Sequence, residues 1–440
     1  MAPVCLRVAL WFSAPMVIRR FRAYRLLRIG LGLAWVLPRY WLLLARERFV
    51  GPAPAAAWTR AHRTAARQLR RLALELEGGL IKAAQVGGAR ADVLPRPFID
   101  ELSQFHDAVP PRPFATLTPL IEAELGAPLA TIFADVDPTP LGAASLAQVH
   151  RARLRDGSEV VIKVQYPEAR RIIPLDLASL RFVIGLVQRM QDTIDLRSIV
   201  NEVTRFVEME LDFRREAAST QRLGALLAAR DDVRVPRVHD AYSRDRVLVL
   251  EYLDGIQVTR VAALAAAGPR PSEVARRIGS LYGAMLFEYG FFHGDPHPGN
   301  LLVLPDGRIG LLDFGLCKEL PANFAALVAE MMVAALIGDG AAALRAAAAL
   351  NFDISIRPEN LRAMVLTIVG DDDTSTDVAS VLRDTHVRRI PDDFGLVLRT
   401  MLLLNGLSHR LAPGRRLIQG ELIKHLAAGA RATLAAPDSR

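Results

Sequence analysis

Two short apolar runs, residues 301–304 and 309–312, flank Pro305-Asp306-Gly307. Strand-length apolar stretches on either side of a turn triplet predict a β-hairpin. Upstream, Asp156-Gly157 predicts a second hairpin turn ahead of a strand over residues 159–164. The run 246–250 predicts a buried strand that ends in the polar segment Glu251-Tyr252-Leu253-Asp254-Gly255. Most of the remaining pattern is helical. Over residues 59–80, Leu72, Leu76 and Leu80 recur at a spacing of four, the repeat of one helix face. Further helices are predicted at about 115–125, after Ser198 through Glu210 and Glu216, and at 323–350, 358–368, 394–404 and 417–434, with Asp371-Asp372-Asp373 as a loop or cap. Pro-rich breaks at 51–57 and 109–113 punctuate the chain. The pattern predicts an α+β protein in four parts: a helical segment at 1–50, a helical extension at 51–115, a small antiparallel β lobe with inserted helices at 116–255, and a mainly helical large lobe at 256–440.

The amino end follows a different pattern. Residues 8–18 and 29–37 form uncharged runs of eleven and nine, separated by Arg19, Arg20, Arg22, Arg25 and Arg28, with Trp11, Trp35, Tyr40 and Trp41 scattered through the segment. Neither run reaches the roughly 18 apolar residues that a spanning helix needs. A secretory signal is disfavoured, because the arginines follow the first apolar run and no small-residue cleavage site is evident. Apolar patches edged by Arg and Trp suit a helix lying in the membrane interface; an ordinary helical extension packed on the body is the alternative.

Composition sharpens this picture. The formal net charge of +8 favours anionic partners: phosphates, nucleic acid or an acidic membrane surface. Membrane and nucleotide rank above nucleic acid, which is not expected as a partner. Cys5 and Cys317 are the two cysteines, too far apart for a CxxC spacing, which excludes a disulfide framework and a thiolate zinc site and favours a reducing compartment.

Candidate chemistry gathers around the first hairpin. Folding it brings Asn300, at the start of one strand, beside Asp313, at the end of the other, with Asp295 five residues upstream of Asn300. Carboxylate and amide oxygens converging there suit a hard cation such as Mg²⁺ carrying a polyphosphate. Two other readings stay open on these residues: a His293/Asp295/His297 metal cluster, which Pro296 and Pro298 bar from helical geometry, and a purely structural hairpin. In the strand over 159–164, Lys163 needs an anionic partner if buried. Glu210 and Glu216, read on one helix at 100° per residue, point in different directions and are assigned to Lys82 and Lys163 respectively.

Asp295, Asn300 and Asp313-Phe314-Gly315 have the layout of a kinase catalytic loop, and Val161-Ile162-Lys163 that of the phosphate-contacting strand lysine. With Lys82…Gln85, Gly142-Ala143-Ala144-Ser145-Leu146-Ala147-Gln148, Glu210-x-Asp212 and Phe292 to Asn300 in this order, the chain resembles the UbiB/AarF (ADCK) family of atypical kinase-like proteins over about residues 60–430. The resemblance implies a protein-kinase-like two-lobe fold, binding of ATP or ADP with Mg²⁺ or Mn²⁺, and support of isoprenoid-quinone or other lipid metabolism at the cytoplasmic face of a bacterial membrane, beside lipid-biosynthesis proteins. It also implies that the segment with Lys82 and Gln85 covers the place of a protein substrate and is anchored by Glu210 and Asp212. Two departures stand out: Ala84 replaces the family's usual glycine, and residues 427–434 hold no apolar hairpin.

The roles implied are Asp295 as catalytic base, Lys163 and Glu216 on the α and β phosphates, and Asn300 and Asp313 on the metal. Gly142, Ala143, Ala144 and Ser145 would cover the phosphates, and backbone at Glu251, Tyr252 and Leu253 would receive adenine. Alanines restrict the positive φ and close backbone approach that glycines allow, so the nucleotide sits differently under this loop. An ATPase or small-molecule kinase is expected; a nucleotide-binding scaffold is the alternative. A conventional protein kinase is disfavoured because no Ala-Pro-Glu follows Asp313-Phe314-Gly315.

Overall fold

Both predicted hairpins form, and glycines close them. The computed structural model describes residues 22–76, 78–88, 94–102, 111–189, 196–351, 353–355, 386–389 and 392–435. The chain divides into two compact units, residues 1–152 with 162–211, and residues 153–161 with 212–440. The predicted helix at 358–368 and the Asp371–Asp373 loop lie outside the described residues, as does the apolar run 8–18.

In the first unit the order is α1 (Arg22–Phe49), α2 (Ala55–Leu76), α3 (Gly79–Gly88), α4 (Arg96–Leu102), α5 (Thr118–Leu125), α6 (Leu129–Ile132), β1 (Phe133–Ala143), β2 (Ala147–Leu154), β3 (Glu159–Gln165), α7 (Ala169–Gln188) and α8 (Leu196–Glu210). The single helix predicted at 59–80 is two helices, because Gly78 takes φ +64° and stops α2. The run 29–37 is likewise part of a longer element. Helix α1 continues through Pro38, and its span 23–49 is long and apolar enough to cross a membrane by length and composition. Two of its arginines are paired: Arg28 donates to both Glu75 oxygens, and Arg25 donates to both Asp176 oxygens at 2.8 and 2.6 Å and to the Leu76 carbonyl at 2.6 Å.

Helix α1 packs on α2, where Gly32 sits against Leu72 and the Tyr40 hydroxyl meets His62 Nδ1 at 2.8 Å. A different face is bare. At 100° per residue, Leu27, Leu31, Trp35, Leu42 and Phe49 fall within an arc of about 80°, and all five are exposed.

The Asp176 carboxylate also accepts the backbone N–H groups of Gly79 and Leu80, so it caps α3 from α7. A Cβ at Gly79 would lie 3.2 Å from Asp176 Cβ, and glycine lets the cap close. Arg25 and Asp176 are 3 % and 1 % exposed, so the contact joining α1, α2, α3 and α7 is a buried ion pair.

The second unit runs α9 (Phe213–Leu226), β4 (Val233–Arg234), β5 (Val247–Glu251), β6 (Ile256–Gln257), α10 (Val261–Ala267), α11 (Pro271–Phe287), β7 (Phe291–His293), β8 (Leu301–Val303), β9 (Ile309–Leu311), β10 (Cys317–Glu319), α12 (Phe324–Ile337), α13 (Gly340–Ala349), β11 (Asp353–Ser355), β12 (His386–Arg389), α14 (Asp392–Leu411) and α15 (Leu417–Ala435). One sheet has the order β1-β2-β3-β5, another β4-β9-β8-β6, and β7 pairs antiparallel with β10. The β8–β9 hairpin pairs Leu301 with Leu311 and Val303 with Ile309, and Gly307 closes its turn at φ +84°. The helix predicted at 323–350 is broken at Gly338, φ +84°, after which Asp339 caps α13 through Ala342 N–H. Helix α15 reaches α11 closely because Gly279 and Gly283 present no side chain to Ile418 and His425.

Burial raises the Asp176 carboxyl from its ordinary value of 3.8 to about 6, against the pull of Arg25. Between those values the folded chain holds a proton that the unfolded chain has lost, so this group's contribution to stability rises as pH falls through that window. The stability difference between wild type and Asp176→Asn is therefore expected to shift toward wild type by up to about 3 kcal/mol between pH 7 and pH 4. Urea denaturation across that range measures it, and a pH-independent difference would contradict the assignment.

Candidate nucleotide site

The loop after β7 is clamped before any ligand is considered. Gly294 N–H donates to the Leu316 carbonyl at 2.8 Å, and the Gly294 carbonyl accepts the Thr400 hydroxyl at 3.1 Å. A Cβ at Gly294 would lie 2.6 Å from Leu316 O and 2.7 Å from the Leu396 side chain, so the residue preceding β10 on one side and α14 on the other fix this backbone. Next in the chain, Asp295 is gripped at both oxygens: Asn300 Nδ2 donates to Oδ2 at 3.2 Å, and the Arg399 guanidinium to Oδ1 at 3.0 Å.

Asp313 reaches the same place by the hairpin. Leu312 N–H donates to the Asn300 carbonyl at 2.9 Å, which sets Asn300 beside the end of β9. Asp313 takes φ +57°, a left-handed conformation that an aspartate adopts at a cost. His293 holds it there. Its Nε2 donates to the carbonyls of Asp313, at 2.7 Å, and Leu312, at 3.0 Å, while its Nδ1 accepts from the Tyr282 hydroxyl at 2.9 Å. Those partners spend both ring nitrogens, so His293 serves structure and not metal. Burial raises the Tyr282 hydroxyl well above its ordinary pKa, which keeps it a donor.

Glu216 completes this side. It is 1 % exposed in the first turn of α9. A Cβ at Gly315 would lie 3.3 Å from Asp313 Oδ1 and 3.8 Å from Glu216 Oε2, so that glycine keeps a side chain out from between the two carboxylates. Gly315 N–H donates to Asp313 Oδ1 at 3.3 Å. Cys317 follows as a buried thiol, which burial keeps protonated. Asp295, Asn300, Asp313 and Glu216 are thus gathered in the second unit. Among the described residues no group of three His, Cys, Asp or Glu side chains is placed to hold a metal alone. An aspartate and an amide oxygen fit Mg²⁺ that arrives with phosphate and keeps water ligands.

The other candidates lie in the first unit or along the β5 segment. Lys163 is 9 % exposed on β3. Gly142 and Ala143 end β1, and Ala144 N–H closes a tight turn on the Ala147 carbonyl at 2.8 Å. No residue of this loop takes positive φ, as its alanines predict. Ser145 is 5 % exposed and its hydroxyl has no hydrogen-bond partner among the described residues, which suits an anionic ligand. The backbone N–H groups of Glu251 and Tyr252 donate to the carbonyls of Arg237 and Glu159, at 2.8 and 3.0 Å, which leaves the N–H of Leu253 as the candidate donor of this segment. The Glu251 side chain binds Arg234 at 2.6 Å and so anchors the strand.

Lys82 and Gln85 fall on α3, which packs on α8, the helix ending at Glu210. Here the single-helix reading of Glu210 and Glu216 needs correction. Leu211 interrupts the helix and Asp212 starts a new one by accepting Arg215 N–H at 3.0 Å, so the two glutamates lie on separate helices. Arg399, Thr400 and Asp176 were not indicated by sequence. Each is a polar residue in a largely apolar helical run, and its importance depends on a partner about 100 residues or more away.

Replacing His293 by Leu removes the donor to two carbonyls and strands the Tyr282 hydroxyl. Three buried groups each lose a partner at about 1–3 kcal/mol, so a loss of at least about 3 kcal/mol is expected by urea denaturation, together with weaker Mg²⁺-nucleotide binding by calorimetry.

Comparison with known proteins agrees with this geometry. The sequence matches the family described as ABC1 atypical kinase-like domain over residues 104–347. It is 38 % identical over 260 residues to ACTIVITY OF BC1 COMPLEX KINASE 7 of Arabidopsis thaliana, covering 59 % of this chain and 37 % of that protein. It is 34 % identical over 268 residues to AarF domain-containing protein kinase 1 of Xenopus tropicalis, covering 60 % and 51 % respectively. The chain spans about half the length of the curated relatives it matches, for example 49 % of a Synechocystis protein to which it is 35 % identical. In fold it is similar to a Mycobacterium tuberculosis protein solved in complex with erythromycin, at 23 % identity and a TM-score of 0.53 over 82 % of this chain and 98 % of that one. With its kinase-like architecture and its match over residues 104–347, this chain belongs to the ABC1 (UbiB/AarF) family of atypical kinase-like proteins.

Proposed function

We propose that this protein binds ATP or ADP with Mg²⁺ or Mn²⁺ and releases the terminal phosphoryl group to water or to a small molecule, at the cytoplasmic face of a membrane, in support of isoprenoid-quinone or other lipid metabolism. The observation that carries this is the convergence of Asp295, Asn300 and Asp313 on one clamped loop and hairpin. In this assignment Asp313 and Asn300 hold the metal, Lys163 and Glu216 position the α and β phosphates, and Asp295 orients the attacking hydroxyl or water. The buried Ser145 hydroxyl, with Gly142, Ala143 and Ala144, covers the phosphates, and Leu253 offers its N–H to adenine.

Membrane attachment is peripheral and uses α1. Its exposed stripe of Leu27, Leu31, Trp35, Leu42 and Phe49 enters the interface, with Arg39, Arg46 and Arg48 near the headgroups. Lipid-biosynthesis proteins are the expected neighbours there. The retained metal-site residues weigh against a scaffold without turnover. The packing of α3, with Lys82 and Gln85, on the helix ending at Glu210 supports a cover over the position of a protein acceptor, so water or a small molecule is the favoured acceptor.

Phosphate release from Mg²⁺-ATP by the purified chain tests this, with neutral or anionic liposomes and with Asp313→Asn as control. A liposome-stimulated rate that the mutant lacks is expected, and nucleotide binding without turnover under every condition would favour the scaffold instead. Asp313→Asn should weaken Mg²⁺-ATP binding by more than about 10-fold, the lower end of what loss of even a supporting metal-site residue costs. Leu31→Asp should lower co-sedimentation with liposomes while leaving nucleotide affinity unchanged.

A further inference from the structure

The Arg399 side chain is the one cation that the described structure places on Asp295. Its position is built and not incidental. Thr400, fully buried, donates to the Gly294 carbonyl, and Leu396, one turn earlier on α14, occupies the space that a Cβ at Gly294 would need. The helix is thereby locked to the backbone of the loop it serves. Yet the pair itself stays open, with Arg399 and Asp295 side chains 30 % and 22 % exposed. Asp295 takes one guanidinium N–H, and the remaining ones donate to none of the described residues. The other residue of the loop with a basic side chain, His297, turns its Nδ1 inward to accept Gly299 N–H at 3.2 Å.

Phosphoryl transfer places negative charge on the equatorial oxygens of the moving group, and enzymes of this chemistry commonly meet it with an arginine. A guanidinium has donors enough to hold a carboxylate with one edge and a phosphoryl group with another.

We infer that Arg399 is a catalytic residue, supplied in cis by α14, which contacts the terminal phosphoryl group of the bound nucleotide while holding the Asp295 carboxylate toward the nucleophile. This rests on the proposed nucleotide-hydrolysing function. In the step, the bond from the γ phosphorus to the β–γ bridging oxygen breaks and a bond to the water oxygen forms. The water proton passes to Asp295, and ADP leaves with the bridging oxygen's electron pair.

The test compares wild type, Arg399→Met and Arg399→Lys as full chains, measuring Mg²⁺-ADP and Mg²⁺-ATP affinity, turnover and thermal melting. Arg399→Met is expected to leave ADP affinity unchanged, to weaken ATP selectively, and to lower kcat by about 10²- to 10³-fold, the usual effect of losing one transition-state donor. Arg399→Lys, which keeps the charge, should recover part of the ATP preference and of kcat, and it carries the test if the Met variant does not fold. Equal loss of ADP and ATP affinity, an unchanged ATP-to-ADP ratio with unchanged turnover, or faster turnover in either variant would each overturn the inference. A wild type that binds neither nucleotide would instead overturn the proposed function on which it rests.

Discussion

Everything at the candidate site depends on one buried imidazole. His293 ends β7, and its ring joins the catalytic loop to the strand that delivers Asp313, through two carbonyls on one nitrogen and the Tyr282 hydroxyl on the other. The donor on both carbonyls supports the left-handed backbone at Asp313. The aspartate, the amide of Asn300 and the carboxylate of Asp295 therefore stand in fixed relation to one another. Preorganisation of this kind matters most where catalysis is positioning and charge neutralisation.

Glycines set the close approaches around that imidazole. Gly294 admits the Leu316 carbonyl and the Leu396 side chain, and Gly315 keeps the space between Asp313 and Glu216 clear. In the first unit, Gly79 plays the corresponding part by letting the Asp176 carboxylate reach the amino end of α3. There the controlling contact is the buried pair of Asp176 with Arg25. Such a pair gains little net stability over an apolar contact, but removing either partner leaves a buried charge uncompensated. It ties α1, with its bare apolar stripe, to the helix that carries Lys82 and Gln85.

Much of the site was legible in the sequence because its parts are local. Pro305-Asp306-Gly307 between two apolar runs fixes the hairpin, and the hairpin fixes the neighbourhood of Asn300 and Asp313. Lys163 in an apolar strand, the alanine-rich turn before β2 and the polar segment after β5 were legible for the same reason. Where the pattern misled, one residue's backbone was responsible. Gly78 and Gly338 adopt positive φ inside helical-looking runs, and Asp212 starts a helix where the pattern continues one.

By itself, then, the sequence determined the strands, the turns and the order of the candidate site residues, because hydrophobic period and turn chemistry act over a few residues. Tertiary structure alone decided which distant polar groups meet. Arg399 and Asp295 are 104 positions apart, and Arg25 and Asp176 are 151 apart. No local propensity marks any of them. The open Arg399–Asp295 pair is set by the locking of α14 to the loop after β7 through Thr400, whereas Arg25 and Asp176 meet in the packing of α1 on α7, where desolvation makes a charge without its counterpart too costly to bury.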